Sequence, residues 1–277
     1  MRRESVPPFV VGVLEALKGA GYEAFLVGGC VRDIIMGRAP SDFDAATNAT
    51  PDEVMRLFPD AVPVGARFGS VLLVGPGTAP GEPGIEVHVT TYRSESGYVD
   101  GRRPGRVEFG SSIHGDLARR DFTINALAWD PFTGEMVDPF EGRRDIEERC
   151  IRAVGDPRER FREDALRTLR AVRFAAQFGF EIEENTWRAI EVEAAGVRRL
   201  SAERIRDALL KILEAPHCQD ALWIMVELGL FFEVFPELKG AGRIRQHKRG
   251  APTLLDHLIL TAAACPPDPE LRLAGLL

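Results

Sequence analysis

The chain is sparing with cysteine, and its four, Cys30, Cys150, Cys218 and Cys265, stand far apart with no C-x-x-C pair. That spacing argues against a zinc site or a disulfide scaffold and fits a reducing cytosol. Long apolar runs are missing too. The most apolar stretch, ALWIMVELGLFFEVF, carries Glu227 and Glu233, so no window approaches a membrane span. Nor is there a basic excess: 35 Lys and Arg against 42 Asp and Glu leave a net charge of −7. The total gives no sign of a polyanionic partner, but affinity for phosphate comes from local clusters and survives an acidic balance. The opening segment, MRRESVPPFVVGVLEALKGAG, has Glu15 and Lys18 inside its apolar stretch and reads as an amphipathic helix, not a signal peptide.

What remains is ordinary globular material: 45% hydrophobic and 28% charged over 277 residues, more than one domain usually needs. Apolar residues recur at helical spacing from Phe9 to Ala20. Ala24–Val27 is a short apolar run halted by Gly28-Gly29, a strand-into-turn signal, and Val31–Met36 reads as the helix that follows. Further strands are expected at Asp42–Ala45, Ser70–Val74, Ile85–Tyr92 and Ala126–Trp129, with Pro and Gly between 75 and 84 marking a hairpin-type connection. From Pro157 to Leu238 only helical periodicity is visible, broken near 179, 196, 216 and 229. A mixed α/β head to about residue 150 and an all-helical remainder are predicted.

The strongest chemical signal lies between Gly28 and Thr47, GGCVRDIIMGRAPSDFDAAT. Asp42 and Asp44 are two apart on an expected strand, so both carboxylates project from one face. Adjacent carboxylates repel unless a cation neutralises them, and Mg²⁺ favours one or two carboxylates with waters and substrate phosphates. Two such ions could activate an attacking hydroxyl and stabilise a leaving pyrophosphate. Upstream, Gly28-Gly29 allows close backbone approach, the N–H groups opening the next helix can receive a phosphate, and Arg32 can add a charge-assisted contact. Each element alone also fits a solvated Asp-x-Asp loop and a turn chosen for geometry; the two in this order are more specific.

On these residues the sequence resembles the nucleotidyltransferase superfamily that includes DNA polymerase β. More closely, it is similar to the class II tRNA nucleotidyltransferases (CCA-adding enzymes) and their bacterial poly(A) polymerase relatives. The resemblance implies an α+β fold: a polymerase-β-like head of mixed sheet and helices over 1–150, a helical neck over 151–215 and a partial helical body over 216–277. It places Mg²⁺ at Asp42 and Asp44, and Gly29 and Arg32 at the nucleoside triphosphate. Superfamily members usually supply a third carboxylate from a neighbouring strand. Here IEVHVTTYR alternates Ile85, Val87 and Val89 with Glu86, His88 and Thr90, so the last three share a polar face. With VTTYR kept in register, His88 stands where the family usually has Glu, and Glu86 lies one strand step away on the same side. Histidine is a poor Mg²⁺ ligand, so Glu86 is the preferred catalytic candidate; for His88 a solvated strand face is the alternative.

In DLARRDFTINA, residues 116–126, Arg119 and Arg120 can neutralise phosphates, while Asp121 and Asn125 offer polar groups to a sugar hydroxyl. The segment matches the family's RRDFTINA motif, whose Asp is associated with ribose recognition and whose Arg contacts the triphosphate. Without the resemblance it reads as a helix start with a structural Asn. Between the motifs, RSESGYVDGRRPGRVEFG, residues 93–110, reads as a mobile Gly- and Arg-rich loop. In the family this region is a flexible element needed to add the terminal A and is shortened in CC-adding members, so its retention favours A addition.

Phe161–Phe178 reads as one helix with Phe161, Leu169, Val172 and Ala176 buried. Within it Asp164 and Arg167 are three apart and neighbours on the helix surface. The Watson–Crick edges of cytosine and adenine share an amino donor beside a ring-nitrogen acceptor. An Asp accepts from the first and an Arg donates to the second. Uracil and guanine present a carbonyl and an N–H instead, which would leave both protein groups unpaired. The plain alternative is a Glu163–Arg167 i,i+4 pair on a solvated face. The family's EDxxR signature, in which Asp and Arg act as a protein template, implies the former, and Arg170 and Arg173 fall at its further nucleotide-contacting arginines.

SAERIRDALLKIL, 201–213, resembles the family's neck helix, and Arg198, Arg199, Arg204, Arg206, Arg243, Arg245, Lys248 and Arg249 can line an RNA backbone path or simply solubilise the surface. The last residues, from Pro252, are similar to the opening of an HD-type region. In relatives a His-Asp pair follows shortly after the equivalent of Leu277, and His257 alone cannot form a phosphohydrolase site. The expectation is a chain without that activity, cut short or lacking the tRNA-gripping tail. Taken together, the resemblance implies a cytoplasmic enzyme that adds CMP and AMP from CTP and ATP to the 3′ end of tRNA with Mg²⁺. A CC- or A-adding specialist, a poly(A) polymerase and an inactive nucleotide- or RNA-binding homologue remain open.

Overall fold

The computed structural model describes residues 3–64, 69–77, 84–99, 103–109, 112–248 and 250–277. The chain divides into two compact units at Glu148/Arg149.

The first unit runs α1 (Pro8–Gly19), β1 (Ala24–Val27), α2 (Gly29–Ile35), β2 (Phe43–Thr47), α3 (Pro51–Leu57), β3 (Ser70–Gly75), β4 (Ile85–Thr91), β5 (Arg93–Val99), β6 (Arg103–Phe109), α4 (Ile113–Ala118), β7 (Ala128–Trp129), β8 (Met136–Val137) and α5 (Gly142–Glu147). Six strands form one mixed sheet in the order β3-β4-β2-β1-β7-β8. Only β2 and β4 pair in parallel; the other neighbours are antiparallel. All four residues of β1 are buried, as an uninterrupted apolar run at the sheet centre requires. On β4, Val87 and Val89 are buried while Glu86 is exposed and His88 and Thr90 are half-buried, so the period-2 pattern puts the polar face where the sequence indicated. α1 starts with Pro8 in its first turn and packs Val10, Val13, Leu14 and Leu17 inward. α3 opens on a capping box in which Thr50 and Glu53 satisfy each other's backbone N–H groups.

Three expectations need correcting here. β2 begins at Phe43, leaving Asp42 in the bend before it rather than on the strand. α2 begins at Gly29, two residues earlier than the apolar pattern suggested, because the second glycine is already the first helical residue. Residues 93–99 and 103–109 form an antiparallel pair, β5 with β6, where the composition indicated a loop. Gly and Arg dominate the composition there, but Tyr98, Val99, Val107 and Phe109 favour extended backbone, and the ladder satisfies the chain's N–H and C=O groups.

The second unit contains β9 (Cys150–Ile151), α6 (Pro157–Glu163), α7 (Leu166–Phe178), β10 (Glu181–Ile182), α8 (Glu184–Glu193), α9 (Ala202–Glu214), α10 (Cys218–Glu227), α11 (Leu230–Val234), β11 (Arg245–Lys248), β12 (Ala251–Thr253), α12 (Leu254–Ala264) and α13 (Pro269–Leu276). It is helical apart from short pairings, including β10 lying parallel to β9, which periodicity over 157–238 did not show because two residues carry no period. The expected helix from Phe161 to Phe178 is two helices, broken at Asp164 (φ −150°, ψ 105°). An Asp carboxylate competes for nearby backbone N–H groups and favours helix ends, and this one accepts from the N–H of Leu166 at 3.0 Å. The anticipated core residues Phe161, Leu169, Val172 and Ala176 are buried. α13 is fastened by Arg272, itself buried, whose Nη1 donates to the carbonyls of Leu213 and Ala215 at the end of α9, at 2.5 and 3.0 Å. Among the described residues no helix is long and apolar enough to cross a membrane.

Candidate active site

The site is assembled at the mouth of β1. Gly28 leaves the strand with φ 78° and ψ −135°, a conformation L side chains rarely adopt, and its N–H donates to the Leu127 carbonyl at 3.1 Å. The turn delivers the chain into α2, whose first N–H groups have no helical partner. The register sets Val27 opposite Asp44 on β2, and Asp44 opposite His88 on β4. Glu86 lies one strand step beyond, exposed and paired with Val74 on β3.

The Asp44 carboxyl is half-buried. Burial raises its pKa, as do the charges of Asp42 and Asp116, against the opposing pull of Arg120 and His88. Asp42 is exposed, and its Oδ1 accepts from the Ser41 hydroxyl at 2.8 Å. A Cβ built on Gly28 would stand 2.5 Å from Arg120 Nη1 and 3.6 Å from Asp44 Oδ2. The missing side chain therefore leaves room for the Arg120 guanidinium on the side of the turn that the Asp44 carboxylate also borders. Beneath the turn, burial pushes the Cys30 thiol up to about 12, and its Sγ donates to the Val27 carbonyl, so it is no nucleophile.

The arginines are held from α4. Asp116 is fully buried and accepts from Arg119 Nη2 at 2.6 Å and from Arg120 Nη2 at 3.2 Å, the i,i+3 and i,i+4 partners on the last turn. Burial presses its pKa upward, but the two guanidinium charges and their hydrogen bonds prevail and hold it low. Arg32, also buried, donates through Nη1 to Asn125 Oδ1 at 2.6 Å and through Nε to Asp33 at 2.9 Å. Asp121 Oδ1 accepts from the Phe122 N–H at 2.9 Å and from Asn125 Nδ2 at 3.1 Å. The turn carrying Asn125 is supported from below by α5: Thr123 Oγ1 donates to Asp145 at 2.5 Å, and Gly142 lies so close that a Cβ would meet the Thr123 carbonyl at 2.1 Å.

Gly28, Gly29, Arg32, Asp42, Asp44, Arg119, Arg120, Asp121 and Asn125 thus belong to one unit. Asp116, Asp145 and Gly142 were overlooked, although the D-x-x-R-R spacing already announced the first as an ion-pair partner. Chemically, two oxygen-donor groups lie beside several guanidinium donors. Among the described residues no three or more His, Cys, Asp or Glu side chains converge to enclose a metal ion. Two carboxylates nevertheless suit a hard cation that keeps waters and takes substrate phosphates, rather than a closed zinc cage.

In the helical unit, Asp164 Oδ2 pairs with Arg204 of α9 at 2.7 Å. Arg167 Nη1 donates to Glu163 at 2.5 Å and to the Arg160 carbonyl at 3.0 Å. The i,i+4 pair is therefore present, but half-buried instead of on a solvated face. Arg170 and Arg173 stack over Phe174, at 5.4 and 4.6 Å from its ring centre. Of the suggested RNA path, Arg198 pairs with Glu233, Arg206 with Asp207 and Lys248 with His257; Arg249 lies outside the described residues. A cavity of about 440 Å³ between Gly179, Trp187, His217 and Ile224 contains none of the predicted site residues.

Residues 24–152 match the family described as Poly A polymerase head domain, and 179–241 match Probable RNA and SrmB-binding site of polymerase A. The chain is 47% identical over 221 residues to the CCA-adding enzyme of Geobacillus sp. (strain WCH70), covering 80% of this chain and 53% of that one. It is equally similar, 47% over 227 residues, to that of Geobacillus kaustophilus (strain HTA426), covering 81% and 54%. The chain spans about half the length of these curated relatives. Among solved structures it is similar to the Bacillus stearothermophilus CCA-adding enzyme in complex with CTP (TM-score 0.72, 41% identity, 81% of this chain and 53% of that). It is also similar to the Thermotoga maritima CCA-adding enzyme complexed with tRNA (0.71, 26%, 94% and 58%). With the acid pair, the glycine turn and the RRDFTINA turn all in the first unit, the chain belongs to the poly(A) polymerase head family, in the class II group of CCA-adding enzymes.

Proposed function

We propose that this chain is a template-independent RNA nucleotidyltransferase that adds CMP and AMP from CTP and ATP to the 3′ end of tRNA, in the cytoplasm, with Mg²⁺ as its ion. The observation that supports the reading is Asp44 and Arg120 both lying against the Gly28 turn, with Asp42 two residues away and close enough to raise the Asp44 pKa. The family generally uses divalent metal ions. Asp42 and Asp44 would hold them, and such ions lower the pKa of the attacking hydroxyl and offset charge on the leaving oxygens. The 3′ hydroxyl of the RNA releases its proton to solvent as its oxygen bonds the α-phosphorus, and the bond from that phosphorus to the α,β-bridging oxygen breaks, releasing pyrophosphate.

The chain's own residues bind and orient. The N–H groups opening α2 and the guanidinium groups of Arg32 and Arg120 receive the triphosphate. Asp121, held beside Asn125, is the acid that meets a ribose hydroxyl. Base choice falls to Asp164 and Arg167, which exchange their present partners, Arg204 and Glu163, for the amino group and ring nitrogen shared by C and A.

The test is incorporation of labelled CTP and ATP into tRNA ending before, within and after CCA, with pyrophosphate release followed in Mg²⁺. Addition stopping after CCA is expected; A alone, C alone or an open-ended A tail would each replace the CCA assignment. Asp42→Ala should abolish release, and persistent activity in that variant would defeat the metal assignment.

A further inference from the structure

We infer that Asn125 is a positioning residue that orients three nucleotide-binding groups, and that it does not itself touch the nucleotide; the inference rests on the function proposed above. The side chain is buried, and both ends of its amide are already engaged inside the protein. Oδ1 accepts from Arg32 Nη1 at 2.6 Å and Nδ2 donates to Asp121 Oδ1 at 3.1 Å. A guanidinium can only donate and a carboxylate can only accept, so the amide has one orientation that satisfies both, with its oxygen toward Arg32. Its main-chain carbonyl accepts in addition from Arg120 Nη1 at 3.4 Å. One residue therefore joins the arginine of α2, the arginine beside Asp44 and the ribose-facing acid. No other residue type of this size supplies an acceptor and a donor on one rigid plane. Thr123 and Asp145 hold the turn from the far side, at 2.5 Å, so the amide is fixed and not free to swing toward a ligand.

The test measures CTP binding and melting temperature for wild type, Asn125→Asp, Asp121→Asn and the double exchange Asn125→Asp/Asp121→Asn. In Asn125→Asp two carboxylates face each other and Arg32 is neutralised. CTP affinity is expected to fall about 10- to 100-fold, the range seen when a supporting partner of a functional group is removed. The double exchange restores a matched donor and acceptor. It should melt above Asn125→Asp and regain part of the lost affinity, which a direct contact by Asn125 would not allow. Unchanged affinity in Asn125→Asp, or a double exchange no better than that variant in either measurement, would overturn the assignment. Melting without nucleotide reports the 121–125 coupling even if the protein binds no CTP, so failure of the proposed function is distinguishable from failure of this inference.

Discussion

Gly28 and Gly29 are adjacent, yet the structure predicts opposite consequences for the same substitution. At Gly28 the backbone sits at φ 78°, ψ −135°, and holding an alanine there costs about 1–3 kcal/mol. The new methyl would also meet Arg120 Nη1 at 2.5 Å, displacing that guanidinium nitrogen from the Asn125 carbonyl. Losing that charged hydrogen bond adds about 1.5 kcal/mol. A total of about 2–4 kcal/mol lowers the melting temperature by roughly 5–15 °C for a unit of this size. At Gly29, inside α2, the nearest atom to a new Cβ is Arg32 Nη2 at 3.5 Å, an ordinary contact. Alanine there restricts the unfolded chain and stabilises by about 0.4–1 kcal/mol. Thermal melts of the two single variants, followed by circular dichroism, decide the matter. Equal melting temperatures, or a Gly29→Ala variant less stable than Gly28→Ala, would refute the reasoning.

Asp116 and Asp44 give opposite pH dependences. With its pKa held low, Asp116 stabilises the fold above the ordinary carboxylate range and loses that contribution as pH falls through it. Asp116→Asn should therefore cost about 3–5 kcal/mol at neutral pH, measured by urea unfolding, and progressively less in acid. Asp44, raised by burial, works in reverse: without added metal, stability falls as pH rises through the carboxylate range, and Asp44→Asn removes that fall while abolishing transfer. Arg167→Ala should weaken the preference for CTP and ATP over UTP and GTP while leaving some transfer; unchanged selectivity in competition assays would remove the templating role. Arg272→Met leaves the Leu213 and Ala215 carbonyls without their buried donor and should cost about 3 kcal/mol, so unfolding within about 0.5 kcal/mol of wild type would contradict the role given to this residue.

Much of the head was legible from the sequence because local chemistry fixed it. An unbroken apolar AFLV run before two glycines reads as a central strand and its exit turn, and the alternation through Val87 and Val89 determined which face of β4 is polar. The D-x-D and RRDFTINA residues announced a group of carboxylates and guanidiniums, all of which fall in the first unit. What the sequence left undecided were matters of partner. Whether Glu86 or His88 stands across from Asp44 is a matter of strand register, which a parallel pairing between segments some forty residues apart settles in favour of His88. The helix break at Asp164 depends on Arg204, forty residues away, taking the oxygen that the Leu166 N–H does not use. The pairing of β5 with β6 was hidden because glycine and arginine mask a pattern that only the cross-strand ladder completes. Asn125, read as a sugar contact, has its amide bonded to Arg32 and Asp121, since a motif names its residues while the packing around them decides what each one touches.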